Sequence, residues 1–545
     1  MPKSATIGSY LVQRLEEAGL KHVFGIPGDY VLSFYDLLEA SSMDVVGTCA
    51  EIGAGYAADA YARVNGLGAV CITYCVGGLN VLNAIAGAYA EKSPVIVISG
   101  APGMDERSRS PLLHHQVRNF DTQLEIYRQV TAASFALEDP ARAPGMIDQA
   151  IATCIREKRP VYLEIPRDLV NAKCAPCQKI EPQKAVSNRE SLAEAVAEAV
   201  AMLKSAKKPV ILAGVEVHRH ALQPSVIKLV ERTGFPVAAT LLGKSVITER
   251  HPQYVGVYEG AMGREEPQRI VERADCVLIL GAFMTDINLG IYTAKLDPGR
   301  TIYAHSQRIS IKHHHYDNIF LGHFISELAK ADLGPRRKFS PTCITRKKPY
   351  KPRDKQAITV ARLFDRMNEF LADDTIVICD IGDSLFGASD LTIHKRTEFV
   401  SPAYYTSMGF AVPAAVGTQI RDRNLRPIVF VGDGAFQMTG HELGSVARHG
   451  LNPIVFVLNN KGYTTERFIH EGNYNDIPNW AYHLWPQIVG QGWGCEVWTE
   501  GELEVALSTA KANQSSFSII NVHLDPMDCS AALVRLGKRL GKKVK

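Results

Sequence analysis

IVFVGDGAFQMTGHE (428–442) and NPIVFVLNNKGYTTE (452–466) are the two stretches whose reading decides the fold. Each runs from consecutive apolar residues straight into polar ones, Gly432-Asp433-Gly434 in the first and Asn459-Asn460 in the second. Unbroken apolar runs of strand length are what a sheet buried on both faces requires. Between them, Thr439 with Glu442 three residues on is a capping-box pattern that predicts a helix start, and Gly450 supplies a stop. Strand, loop, helix, strand is a parallel crossover unit. Both strands then end on one edge of the sheet, so Asp433 is predicted to arrive beside Asn459-Asn460, where open α/β sheets bind ligands.

The alternation extends outward through the chain. Ile7, Leu11, Val12 and Leu15 recur at helical spacing, and Gly19 ends that helix before the short apolar run HVFGIP (22–27). DVVGTCA (44–50), AVCITY (69–74) and PVIVISG (94–100) follow as strands, with helices predicted over 52–64 and 79–91. A second set, PVILAG (209–214), FPVAAT (235–240), CVLILGA (276–282) and TIYAH (301–305), begins after the polar stretch 177–190. A third opens with a helix near 357–371, after the basic, proline-bearing segment 335–355, and includes the strand-to-turn stretch TIVICDIGDS (375–384). The expected fold is α/β, with three doubly wound parallel-sheet domains over 1–185, 190–340 and 355–545.

Composition narrows the function classes. A net charge of +3 over 545 residues gives no reason to expect nucleic acid or a membrane surface as partner. The basic stretches near 336–355 and 537–545 read as a solvated linker and tail. No apolar run has the length needed to cross a bilayer, and the amino-terminal residues lack a signal pattern, so a cytoplasmic protein is expected. Eleven cysteines scattered through strand-like runs suit reduced, buried thiols. Cys174 and Cys177 form a single Cys-x-x-C with no second pair, too little for a zinc site.

Asp433, the Asn460 amide oxygen and nearby loop carbonyls are hard oxygen ligands of the kind Mg²⁺ takes, commonly shared with phosphate. Gly432 and Gly434 let the backbone approach such a phosphate. A local reading, with Asp433 as a turn residue and the asparagines as a loop, fits the same letters. The two halves at this separation, with one helix between, resemble the diphosphate and metal motif of thiamine-diphosphate-dependent enzymes. That resemblance implies that Asp433, Asn460 and the backbone carbonyl of Gly462 bind Mg²⁺, which holds the diphosphate of thiamine diphosphate. It places Gly432, Gly434 and Asp383 among the cofactor contacts, Met408 in TSMGFAVPA (406–414) as the apolar wedge that bends the cofactor, and Glu51 in GTCAEIGAGYAADAYAR (47–63) beside the aminopyrimidine ring.

FGIPGDY (24–30) with Asp29, LLHHQV (112–117) with His114 and His115, and GYTTERFIHEG (462–472) with Glu466 resemble the 2-oxo acid decarboxylases within that family. The likeness spans essentially the whole chain, including LILGAFMTD (278–286) and YNDIPNWAY (474–482). It implies release of an aldehyde and CO₂ from a 2-oxo acid, with Asp29, His114, His115 and Glu466 handling protons. These motifs fall on the first and third domains, and in the family the site forms between two subunits. A homodimer with shared sites, or a homotetramer, is therefore expected. The His313–His315 run matches no motif.

Relatives specific for pyruvate wall the pocket with bulky side chains near Leu385 and Thr465. The smaller residues here argue for branched, longer-chain aliphatic or aromatic 2-oxo acids. Leu536 and Leu540, four apart on a predicted helix, read equally as an apolar lid or as ordinary packing. Asp383 departs from the Gly-Thr-Ser common in relatives acting on aromatic acids. Two rival functions remain on sequence grounds. A carboligase of the acetolactate synthase type would yield a new C–C bond in place of an aldehyde, and a non-catalytic nucleotide- or phosphate-binding regulator would bind Mg²⁺ and diphosphate without releasing CO₂.

Overall fold

The computed structural model describes residues 5–109, 112–174, 186–339, 349–394 and 399–544. Three sheets follow one another along the chain, each flanked by helices, as alternating strands and helices dictate. The first has the order Asp44–Gly47, His22–Gly25, Gly68–Ile72, Val95–Ala101, Val161–Pro166, Ser134–Ala136, parallel throughout. The third has the order Phe399–Val400, Thr375–Cys379, Arg426–Gly432, Ile454–Asn459, Ser518–His523, Trp493–Val497, also parallel throughout. Their central strands are buried from end to end, which is why they read as uninterrupted apolar runs.

The middle sheet is parallel with an antiparallel addition at one edge. Its core of Thr301–His305, Cys276–Leu280, Pro209–Ala213, Val237–Ala239 and Tyr254–Val257 is parallel, but Arg308–Ile311 and His314–Asp317 add an antiparallel hairpin at one edge. Their polar alternation hid them as strands, because only one face of the hairpin is buried. The histidine run belongs to this hairpin: His314 Nδ1 lies 3.0 Å from the Glu198 carboxylate, and His315 Nδ1 lies 2.9 Å from Ser310 Oγ. Cys177, and with it the Cys-x-x-C pair, lies outside the described residues. Cys49, Cys71, Cys75, Cys154, Cys276, Cys379, Cys495 and Cys529 are free thiols.

Two apolar cores cross the domain boundaries and thereby set the site. One joins the first domain to the third, where helix Glu51–Asn65 crosses helix Ala411–Arg421. Backbone meets backbone at that crossing, since a Cβ on Gly417 would fall 2.0 Å from the Ala57 carbonyl oxygen. The other joins Leu241 and Met262 of the middle domain to the third domain and to the last helix, Ala531–Val544.

Candidate active site

In the first domain, Glu51 opens its helix directly after strand Asp44–Gly47. One carboxylate oxygen accepts from Asn80 Nδ2 at 2.6 Å. The two residues before it are tied to the third domain of the same chain: the N–H groups of Cys49 and Ala50 donate to the Glu442 carboxylate at 3.1 and 2.9 Å. This overturns the predicted capping box. The helix after the Gly-Asp-Gly turn begins at Asp433, Thr439 donates to the Gly409 carbonyl at 2.6 Å, and Glu442 is buried across the domain boundary. A tertiary acceptor site with two free N–H donors outweighs the local cap.

Asp29 sits in the turn after strand His22–Gly25, and His114 Nε2 lies 2.8 Å from its carboxylate. His115 Nε2 lies 3.9 Å from the other oxygen, and Arg167 donates to Asp29 at 3.3 Å. Tyr30 packs its ring against both imidazoles and donates from its hydroxyl to the His114 carbonyl at 3.1 Å. The three sequence-predicted proton carriers of this domain thus form one half-exposed cluster. Adjacent letters alone did not require it, since His115 reaches the cluster through a left-handed backbone, φ 69°.

In the third domain, strands Arg426–Gly432 and Ile454–Asn459 are neighbours with Gly432 opposite Leu458, so Asp433 and Asn460 meet at the carboxyl edge as predicted. Asp433 is 1% exposed, and burial pushes its carboxyl up to about 6. Its oxygens accept from the N–H of Gly434 at 2.8 Å and of Gly462 at 3.2 Å. Gly462 meets Asp433 through this N–H, while its carbonyl accepts from the Thr464 N–H at 3.1 Å. The Asn460 side-chain oxygen is buried and has no hydrogen-bond partner. A desolvated carboxylate beside an orphaned amide oxygen is a hard, incomplete donor set, and it fits a small dication. Gly434 is required by proximity, because a Cβ there would meet the Tyr463 ring at 2.4 Å.

Two residues that the sequence reading passed over hold this edge together. Asp380 ends strand Thr375–Cys379, and its carboxylate accepts from the N–H groups of Ile381, Gly409 and Ala411 at 2.9, 3.1 and 2.9 Å. It fixes the loop that carries half-buried Met408, and burial pushes its carboxyl up to about 6. An acid following an apolar strand in TIVICD is the same signal that marked Asp433. Arg467 donates to the carbonyls of Asn460 and Lys461 at 3.1 and 2.9 Å, which shapes the asparagine loop.

Asp383 opens helix Asp383–Ala388 at the same edge, and both its oxygens are taken by Ser530: one accepts the N–H at 2.6 Å and the other the hydroxyl. Leu385 and Leu536 lie in one apolar core, and Leu540 packs at its margin. Thr465 is half-buried, its hydroxyl 3.4 Å from where a Gly382 Cβ would stand, and Glu466 next to it is exposed. Among the described residues, no hydrogen bond or ion pair joins Glu51, Asp29, His114 or His115 to Asp433, Asn460 or Glu466.

Three family models match the chain in order: the N-terminal TPP binding domain of thiamine pyrophosphate enzymes over residues 5–126, the central domain over 196–331, and the C-terminal TPP binding domain over 380–522. An indole-3-pyruvate decarboxylase of Azospirillum brasilense is 36% identical, with 96% of each chain covered. Pyruvate decarboxylase 1 of Pisum sativum is 34% identical, with 98% of this chain and 93% of the relative covered. Pyruvate decarboxylase isozyme 2 of Saccharomyces cerevisiae is 34% identical, with 97% of each chain covered.

Proposed function

The chain belongs to the thiamine pyrophosphate enzymes and among them to the 2-oxo acid decarboxylases, which use thiamine diphosphate with Mg²⁺, and from that premise we propose that it decarboxylates branched, longer-chain aliphatic or aromatic 2-oxo acids to aldehydes. The observation that carries the substrate reading is the edge beside Glu466. There Thr465 is short and Leu385 is drawn into the apolar core, so no bulky side chain of either position stands against a long substrate. One methylene changes discrimination by only about 1–3 kcal/mol, so a graded range of acids is expected.

Bound thiamine diphosphate supplies the nucleophilic carbon and the electron sink for CO₂ loss. Asp433 and Asn460 would hold Mg²⁺, with the Gly462 carbonyl completing the set once it is released from Thr464. Glu51, whose carboxylate accepts from Asn80, would hydrogen-bond the pyrimidine ring nitrogen of the cofactor and favour its imino form. Met408 would bear on the cofactor from the loop that Asp380 fixes. Asp29 and His114 share a hydrogen bond, so a proton leaving one is replaced from the other, and His115 with Arg167 keeps the carboxylate oriented. Glu466 adds a second carboxylate from the third domain.

Among the described residues no hydrogen bond or ion pair brings Glu51 or the Asp29-His114-His115 cluster to Asp433, Asn460 or Glu466, and we read the site as completed by a second copy in a homodimer, or in a homotetramer built from it. Leu112 and Val117 beside the histidines and Met438 and Trp480 beside the metal edge are exposed, as surfaces awaiting a partner would be. Among the described residues no helix is long and apolar enough to cross a membrane, and a cytoplasmic site of action is part of the proposal. The test is aldehyde and CO₂ release from pyruvate, 4-methyl-2-oxopentanoate, phenylpyruvate and indolepyruvate by chelator-stripped protein, with and without added thiamine diphosphate and Mg²⁺. Cofactor-dependent aldehyde, ranked above pyruvate for the larger acids, is expected. A new C–C product without aldehyde would replace this reading with a carboligase.

A further inference from the structure

The last helix, Ala531–Val544, lies against the helix Thr464–Ile469 that carries Thr465 and Glu466. The two approach closely: a Cβ on Gly537 would stand 2.7 Å from the Phe468 Cβ, and one on Gly541 would stand 3.1 Å from the Ile469 carbonyl oxygen. Leu533 and Leu536 sink into the core that also holds Leu385. What anchors the start of this helix is Ser530. Its hydroxyl accepts the Leu533 N–H at 3.1 Å, which caps the helix, and donates to Asp383, while its own N–H donates to the other Asp383 oxygen at 2.6 Å. Asp383 is 7% exposed, so both hydrogen bonds are shielded from water.

We propose that Asp383 is a positioning residue of the decarboxylase site, latching the last helix over the Thr465-Glu466 helix through Ser530. The latch ties the cofactor edge of the third sheet to the cover of the substrate side, its partners 147 positions apart in the chain. Both Asp383 oxygens are engaged by Ser530, so the carboxylate serves the helix.

The kinetic part of this inference rests on the decarboxylase reading, and the structural part does not. The holoenzyme with Asp383→Ala, and separately with Ser530→Ala and Ser530→Thr, is followed by hydrogen exchange, by bound-cofactor stoichiometry and by steady-state kinetics. Losing shielded hydrogen bonds to a charged acceptor is expected to raise amide exchange across 531–541 on the order of tenfold or more in both alanine variants. KM for the preferred acid is expected to rise by a similar factor with kcat changed less than about twofold, cofactor stoichiometry unchanged, and Ser530→Thr restoring wild-type values. Unchanged exchange overturns the latch. So does raised exchange with unchanged KM, or cofactor loss from Asp383→Ala that Ser530→Ala does not share. If Asp383→Ala fails to fold, the Ser530 pair decides alone. If the wild type releases no aldehyde, the decarboxylase reading fails while exchange still tests the anchor.

Discussion

Asn460→Ala should reverse the sign of its effect on stability when the cofactor is added. In the metal-free protein the Asn460 side-chain oxygen is buried without a partner. Such an acceptor costs about 1–3 kcal/mol. Truncation removes that cost and leaves a small cavity, worth about 0.5–1 kcal/mol at roughly 24 cal/mol per Å³. The stripped variant should therefore be more stable than stripped wild type by about 0.5–2 kcal/mol, a rise of roughly 1–8 °C for a domain of this size. With Mg²⁺ and thiamine diphosphate at a hundredfold excess over their dissociation constants, wild type should gain about 2.7 kcal/mol and the variant much less, so the order inverts. Thermal unfolding of both proteins, stripped and reconstituted, reads this directly. A stripped variant that melts well below stripped wild type would refute the reasoning, because the amide would then be holding the loop itself.

Two other outcomes follow from buried contacts. The Asp380 carboxyl is pushed up to about 6, so the folded chain keeps its proton to higher pH than the unfolded chain does, and this group makes stability fall as pH rises from about 4 to about 6. Asp380→Asn should abolish that part of the decline and, by turning a donor towards the Ala411 or Gly409 N–H, lower stability at pH 7 by about 1.5–3 kcal/mol, read from denaturant midpoints at both pH values. Gly417→Ala places a Cβ 2.0 Å from the Ala57 carbonyl oxygen, where nothing closer than 3.0 Å is tolerated, so the two helices must part by about 1 Å. The expected loss is at least about 1–3 kcal/mol in thermal unfolding, whereas Gly145→Ala, which meets nothing within 4 Å, should be neutral or stabilising.

Local spacing carried the fold class and the meeting of Asp433 with Asn460 at one sheet edge, while the residues of the first domain came from the family resemblance. Buried parallel strands must be apolar along their whole length, so the runs ending at Asp433, Asn459 and Asp380 announce their own carboxyl edge, and a crossover unit leaves one place for the first two to meet. The antiparallel hairpin of the middle sheet escaped because polar alternation in His314–Asp317 carries no core signal. The capping box at Thr439 and Glu442 failed for a different reason. A local motif offers one acceptor to one donor, and the Cys49 and Ala50 N–H groups, 393 and 392 residues away in the chain, offered Glu442 two part-buried partners. Asp383, which the resemblance places among the cofactor contacts, meets Ser530 with both oxygens. Which strand ends in an acid is written in the order of residues. Which donor that acid finally meets depends on what the folded core brings beside it, because a desolvated carboxylate takes the nearest unsatisfied N–H whatever its distance along the chain.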